Sequence, residues 1–228
     1  MAGFPGMMLP MALRAGWTEL DILDLHEWAL AGHNDVTSIV RDLAIIDGRW
    51  VHYRGLPLKE INTLISRRLD PDLPIHIYAD GSGTTADKPS GYGVVVLWPG
   101  EVQLIGESCG LGTNNHAELS AIQRALRAVP DTRQTIVIHS DSEWAMGAAR
   151  PDSTWNVSAN ARLVSSLREE LRDLRSGPGG CRVQFEHVQG HAGVLWNEVA
   201  DRLARSGRLG EPPKFPRKMQ RALEAYQP

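Results

Sequence analysis

The chain of 228 residues carries 24 Lys and Arg against 27 Asp and Glu, a net charge of −3, with 42% hydrophobic and 22% charged residues. That balance fits a globular protein with a full core, and it excludes both a disordered polyelectrolyte and a protein that grips nucleic acid by bulk positive charge. No apolar run reaches the ~18 residues of a membrane span, and the two cysteines, Cys109 and Cys181, read as ordinary thiols of a reducing compartment, so a cytoplasmic protein is expected.

Residues 1–13 are apolar but are interrupted by Gly3, Pro5, Gly6 and Pro10 and lack a basic leading region. They read as a loose N-terminus and not as a signal peptide. Thr18-Glu19-Leu20-Asp21 has the form of a capping box opening a helix to about Ala31, which Gly32 ends. Val36, Ile39, Val40, Leu43 and Ala44 keep the spacing of an amphipathic helix. Asp47-Gly48, between Ala44-Ile45-Ile46 and Trp50-Val51-His52-Tyr53, predicts a hairpin turn. Leu58, Ile61 and Ile65 suggest a third helix. A unit of roughly 70 residues has a marginal core, so this small, mainly helical part is expected to dock on its neighbour or on a protein partner. With 7 basic and 10 acidic residues in 1–73 it is a poor nucleic-acid clamp.

Asp70-Pro71-Asp72-Leu73-Pro74 disfavours helix and marks a linker. Beyond it the pattern changes. Ile75–Asp80, Gly91–Trp98 and Glu101–Ser108 read as three strands, with Pro99-Gly100 turning the chain between the last two. Asn115–Val129 is helical and ends at Pro130. Thr135–Ser140 is a short Ile/Val strand of the kind buried on both faces. Ala159–Leu174 is a second long helix, Arg182–Val188 a fifth strand and Trp196–Arg205 a third helix. A three-stranded meander followed by alternating helix and strand gives an α/β domain with a mixed five-stranded sheet flanked by helices. The expected division is an accessory unit 1–69, a linker 70–74, the α/β domain 75–207 and a basic tail 208–228. After Gly210 that tail holds Lys214, Arg217, Lys218 and Arg221 against Glu211 and Glu224, and it reads as a solvated end.

Four acids stand out. Asp80 ends the first strand and Asp141 follows the fourth, and ligands of open α/β sheets gather outside such strand ends. Two carboxylates on neighbouring strands repel unless a cation lies between them. Glu118 lies near a helix start and Asp201 inside a helix. Four hard oxygen donors without a Cys or His cluster suit Mg²⁺ or Mn²⁺ and not zinc. Each acid alone also has a structural explanation. Asp80 before Gly81 shapes a turn, Glu118 favours the helix dipole, Asp141 caps a helix, and Asp201 is a solvated helix residue.

The ensemble carries more. Asp80-Gly81-Ser82, then Thr113-Asn114-Asn115-His116-Ala117-Glu118-Leu119, then His139-Ser140-Asp141-Ser142, then Gly190-His191-Ala192-Gly193 with Asn197-Glu198 and Ala200-Asp201 stand in an order and spacing that resembles the type 1 ribonucleases H. The resemblance runs from about Pro74 to Ser206. It implies a ribonuclease H-like fold and an endonuclease that hydrolyses the RNA strand of an RNA–DNA hybrid with two Mg²⁺ ions, leaving a 5′ phosphate and a 3′ hydroxyl. Carried over by motif, Asp80 bridges both ions, Asp201 serves the ion that activates water, and Glu118 and Asp141 serve the ion at the leaving 3′ oxygen. His191 shuttles a proton or helps product leave. Gly81, Ser82, Thr113, Asn114, Asn115, Asn160 and Asn197 are the substrate-side positions. Asn114 and Asn115 read the minor groove, where the 2′-hydroxyl marks RNA, and they also suit helix caps.

The match thins between Glu143 and Ala159. Many bacterial relatives carry a basic, Trp-containing helix and loop there. Here the stretch is short, Arg150 is its one basic residue, and Trp144 and Trp155 are expected to pack in the core or loop. The handle for the hybrid is reduced. Lys88 before Pro89 also rules out a phosphate-binding Gly-Lys-Ser/Thr loop. Two related functions compete: the nuclease component of a retroelement system, and a non-catalytic hybrid-binding module, whose usual mark would be a missing acid. A proofreading exonuclease would want a carboxylate where Ser82 stands. A monomer is expected.

Overall fold

The computed structural model describes residues 44–46, 49–51, 73–98, 101–129, 134–176 and 180–226. The chain forms two compact units, residues 1–73 with Pro228 and residues 74–227. In the first, β1 (Ala44–Ile46) pairs antiparallel with β2 (Arg49–Val51), with Ile45 opposite Trp50. Only Asp47 and Gly48 separate them, as a hairpin at that dipeptide requires. Apart from Ala44, which begins β1, the helices expected before and after this hairpin lie outside the described residues.

In the second unit β3 (Ile75–Ser82), β4 (Pro89–Trp98), β5 (Glu101–Leu111), β6 (Ile136–Ser140) and β7 (Val183–His187) make one sheet in the order β5-β4-β3-β6-β7. β3, β4 and β5 are antiparallel neighbours, and β6 and β7 add on in parallel. This is the mixed five-stranded sheet expected. β4 and β5 run further than their apolar cores suggested, to a Pro89–Leu111 pair. The buried Ser90 hydroxyl donates to Gly110 O at 3.0 Å and ties down that extension.

Helices α1 (Asn114–Ala128), α2 (Glu143–Ala149), α3 (Ala161–Ser176), α4 (Leu195–Leu209) and α5 (Arg217–Tyr226) flank the sheet, with a 3₁₀ turn at Ser158–Asn160. Alternation along β3 divides the core. Ile75, Ile77 and Ala79 join the buried residues of α1 and α3 on one face. Tyr78 faces the other side with Val95, Leu97, Val199, Ala200 and Leu203. β6 is buried at every position, as its position between β3 and β7 demands.

Three helical features depart from the expectation. α2 adds a helix within the short Glu143–Ala159 stretch, to which the sequence pattern assigned no element: Ser142 Oγ accepts the Ala145 N–H at 3.2 Å, and Ala145, Met146, Ala148 and Ala149 are buried. α4 continues to Leu209 and ends at Gly210, which adopts a left-handed conformation with φ of 68°. The basic tail is not a solvated end. Residues 217–226 form α5, Met219 is buried, and Phe215, Leu223 and Tyr226 pack on the second core. Tyr226 meets Trp196 edge-on at a centroid distance of 5.5 Å. The four basic side chains masked this apolar stripe in the sequence. Among the described residues no helix is long and apolar enough to cross a membrane.

Candidate active site

Asp80 points to the α4 face of the sheet, where it pairs in register with Gly93. A Cβ on Gly93 would lie 2.0 Å from Ala200 O, so the missing side chain lets α4 settle directly on the sheet. That approach places Asp201, the next residue of α4, near enough to Asp80 for its charge to act on it. From the other direction α1 brings in Glu118. Gly81 is the contact: a Cβ there would lie 2.3 Å from Glu118 N. Asp141 arrives as the first residue after β6, which runs parallel to β3.

Carboxylate oxygens of Asp80, Glu118 and Asp141 all lie within 4.8 Å of one another. Asp80 is 5% exposed and Glu118 4%, so little water screens their repulsion. Burial, then Asp141 and Asp201, push the Asp80 pKa up to about 8. Burial, then Asp80 and Asp141, also raise that of Glu118. Two donors partly offset the crowding at Glu118. The Gly81 N–H donates to Oε2 at 3.1 Å and the Asn114 amide donates to Oε1 at 3.2 Å. Asn114 also accepts the Gly83 N–H at 3.1 Å, linking the end of β3 to α1. Buried hard-oxygen donors that raise one another's pKa fit a divalent cation, whose charge would relieve the repulsion.

Asn197, 2% exposed, donates its side-chain N–H to Asp141 Oδ2 at 3.4 Å. Its own Oδ1 is buried without a hydrogen-bond partner. Asp201 is half-buried, and its Oδ1 accepts Arg205 Nε at 2.9 Å. It lies outside the tight group of three.

The structural explanations weighed for the acids fare differently. Ser142, not Asp141, caps α2. Glu118 lies in the second turn of α1, beyond the reach of a helix-terminal charge effect. Thr113, rather than Asn114 or Asn115, caps α1 by accepting the His116 N–H at 3.3 Å. Asp80 stands inside β3, two residues before its end.

His191 is exposed and adopts a left-handed backbone, φ 54°, in the loop before α4. The preceding Gly190 abuts the cluster, since a Cβ there would come within 2.6 Å of Asp141 Oδ2. Ser82 closes β3, Asn115 is exposed in the first turn of α1, and Asn160 ends the 3₁₀ turn before α3. Among the described residues, Ser82, Asn115, Asn160 and His191 form no side-chain hydrogen bond to the cluster. Trp144 packs against the main core. Trp155 lies across Gly147 of α2 and is 48% exposed. Cys109 and Cys181 are free thiols.

Sequence reasoning missed Arg205. Its signal was available, because Asp201 and Arg205 stand four apart on a helix, the spacing at which opposite charges meet.

A family model for RNase H matches residues 73–208. A ribonuclease H of Pelobacter propionicus is 34% identical over 140 residues, covering 58% of this chain and 83% of the relative. A ribonuclease H of Rhodopirellula baltica is 31% identical over 140 residues, covering 58% and 88%. Among solved structures, an RNase H1 isolated from compost by a metagenomic approach superposes with a TM-score of 0.50 at 22% identity. It covers 60% of this chain and 96% of its own, a likeness of fold.

Proposed function

The chain belongs to the RNase H family, and from that membership we propose that it is an endonuclease hydrolysing the RNA strand of RNA–DNA hybrids. The observation that carries this reading is the convergence of Asp80, Glu118 and Asp141, with Asp201 beside them on α4. Asp80, Glu118, Asp141 and Asp201 would hold two divalent cations, Mg²⁺ or Mn²⁺. Such ions supply activation of the attacking water and stabilisation of the leaving 3′ oxygen, an in-line displacement that leaves a 5′ phosphate and a 3′ hydroxyl.

The protein's own residues orient the centre. Gly81 N–H and the Asn114 amide fix the Glu118 carboxylate from two sides. Asn197 holds Asp141 by donating to its Oδ2 from a buried position one turn before Asp201. His191 stands one residue from the Gly190 contact with Asp141, on an exposed loop from which an imidazole can pass a proton. Thr113, Asn114 and Asn115 open α1 beside Gly81 and Ser82. We assign these five to the hybrid, the asparagines to its minor groove. Asn160 completes the substrate side.

In this reading residues 75–207 are the nuclease domain, 70–74 a linker and 1–69 an accessory unit that meets a protein partner. The enzyme acts as a cytoplasmic monomer. The test is a labelled RNA–DNA hybrid offered beside double-stranded RNA and duplex DNA, with Mg²⁺ or with EDTA. Cleavage of the hybrid's RNA alone, lost in EDTA, is expected. Hybrid binding without cleavage would assign a binding module instead.

A further inference from the structure

Three carboxylates of the centre converge, and the fourth is engaged elsewhere. Asp201 Oδ1 accepts Arg205 Nε at 2.9 Å, one turn further along α4. Arg205 reaches beyond its partner. Its positive charge also favours ionised Asp80, against burial and the charges of Asp141 and Asp201. Among the described residues, Arg205 is the cation that acts in this way on Asp80. One guanidinium therefore stands at the rim of a four-acid cluster.

We propose that Arg205 is a resident counter-charge that competes with a divalent cation for Asp201 and so sets the cation concentration at which the centre fills. The inference rests on reading the cluster as a divalent-cation centre. A lone pair of Asp201 that Arg205 occupies is withheld from a cation, and the guanidinium repels any cation drawn to the same carboxylates. Arg205 is a positioning residue: it acts through Asp201. Its side chain is 55% exposed, so the repulsion is partly screened and depends on salt.

A bland alternative is an i,i+4 ion pair that only steadies α4. The two differ in what they predict for cation binding. Mn²⁺ is titrated onto the full-length protein without nucleic acid, and free ion is counted by its paramagnetic resonance. Arg205→Gln should bind Mn²⁺ roughly 3- to 10-fold more tightly than the parent, and Arg205→Glu more tightly still. Arg205→Lys, which keeps the charge, should stay within about twofold of the parent. The gain in Arg205→Gln should shrink as salt is raised. A helix-steadying role would leave Mn²⁺ affinity unmoved across the series. Unchanged or weaker binding in both Arg205→Gln and Arg205→Glu would overturn the proposal. Asp80→Asn separates the two claims. If it abolishes Mn²⁺ binding while the Arg205 series is flat, only the role of Arg205 fails. If it binds like the parent, the cation-centre reading fails, and the role of Arg205 with it.

Discussion

The Gly81 N–H donates to Glu118 Oε2 at 3.1 Å, so the residue after the strand acid grips the helix acid directly. This bond exists because β3 and α1 touch without a side chain between them. Gly81→Ala would put a Cβ 2.3 Å from Glu118 N and 2.6 Å from Ala117 C, both backbone atoms that cannot step aside. The helix must move away from the strand. Overpacking of this kind costs about 1–3 kcal/mol, and the carboxylates separate as it is relieved. Urea denaturation should show that loss, and hybrid cleavage by the folded variant should fall by about a hundredfold, the scale of an ångström's misplacement at a catalytic centre.

Asp80 gives the cation-free protein an unusual pH dependence. Its carboxyl titrates near 3.8 when unperturbed and near 8 in the fold. Below the lower value both states are protonated and the fold suffers no penalty. Between the two, the unfolded chain releases a proton that the folded chain keeps, so stability falls as pH rises, and the full penalty is present above about 8. Glu118 shifts in the same direction. Asp80→Asn removes the largest part and should gain about 1–3 kcal/mol at pH 8 in EDTA and little near pH 4. Urea midpoints of parent and variant across that range check it, and a constant difference would count against the buried carboxylate cluster.

Asn197 holds Asp141 from a fully enclosed position. Asn197→Asp replaces a donor with a second carboxylate beside Asp141. Cleavage should fall by about tenfold or more, while Asn197→Ala, which only removes the hydrogen bond, should cost about 1 kcal/mol of orientation and a smaller loss of rate. Equal rates for the two variants would deny Asn197 an electrostatic role at Asp141.

The C-terminal helix contributes to the fold through its apolar stripe. Met219 is 4% exposed among Val95, Leu97, Val102 and Leu203. Met219→Ala should lower stability by about 2–4 kcal/mol. Arg221→Ala, on the exposed face of the same helix, should change it by less than about 0.5 kcal/mol. Thermal melts of the two variants separate a docked helix from a frayed end.

Much of this was legible in the sequence where a local rule and the tertiary demand agree. The all-buried β6 announced itself by its Ile/Val run, and the α1 carboxylate by its motif. The acids show the limit of local reading. Asp141 and Glu118 fit capping and dipole roles until the fold supplied Ser142 as the cap and put Glu118 a turn too deep. α5 was hidden because Lys214, Arg217, Lys218 and Arg221 dominate the composition of the tail, whereas Phe215, Met219, Leu223 and Tyr226 decide its structure, and they do so only against the sheet face that Val95, Leu97 and Val102 line. Arg205 belongs to no motif, and only its i,i+4 spacing from Asp201 marks it in the sequence.

The most direct measurement is RNA-strand cleavage of an end-labelled RNA–DNA hybrid by the parent and by Asp80→Asn, in saturating Mg²⁺ and with both proteins shown to be folded. The parent should cut the RNA internally and leave 3′ hydroxyl ends, and Asp80→Asn should lose at least about a thousandfold in rate, the scale of losing a charge that the transition state needs. Retained cleavage by folded Asp80→Asn would contradict the assignment of the chemistry to the carboxylate cluster.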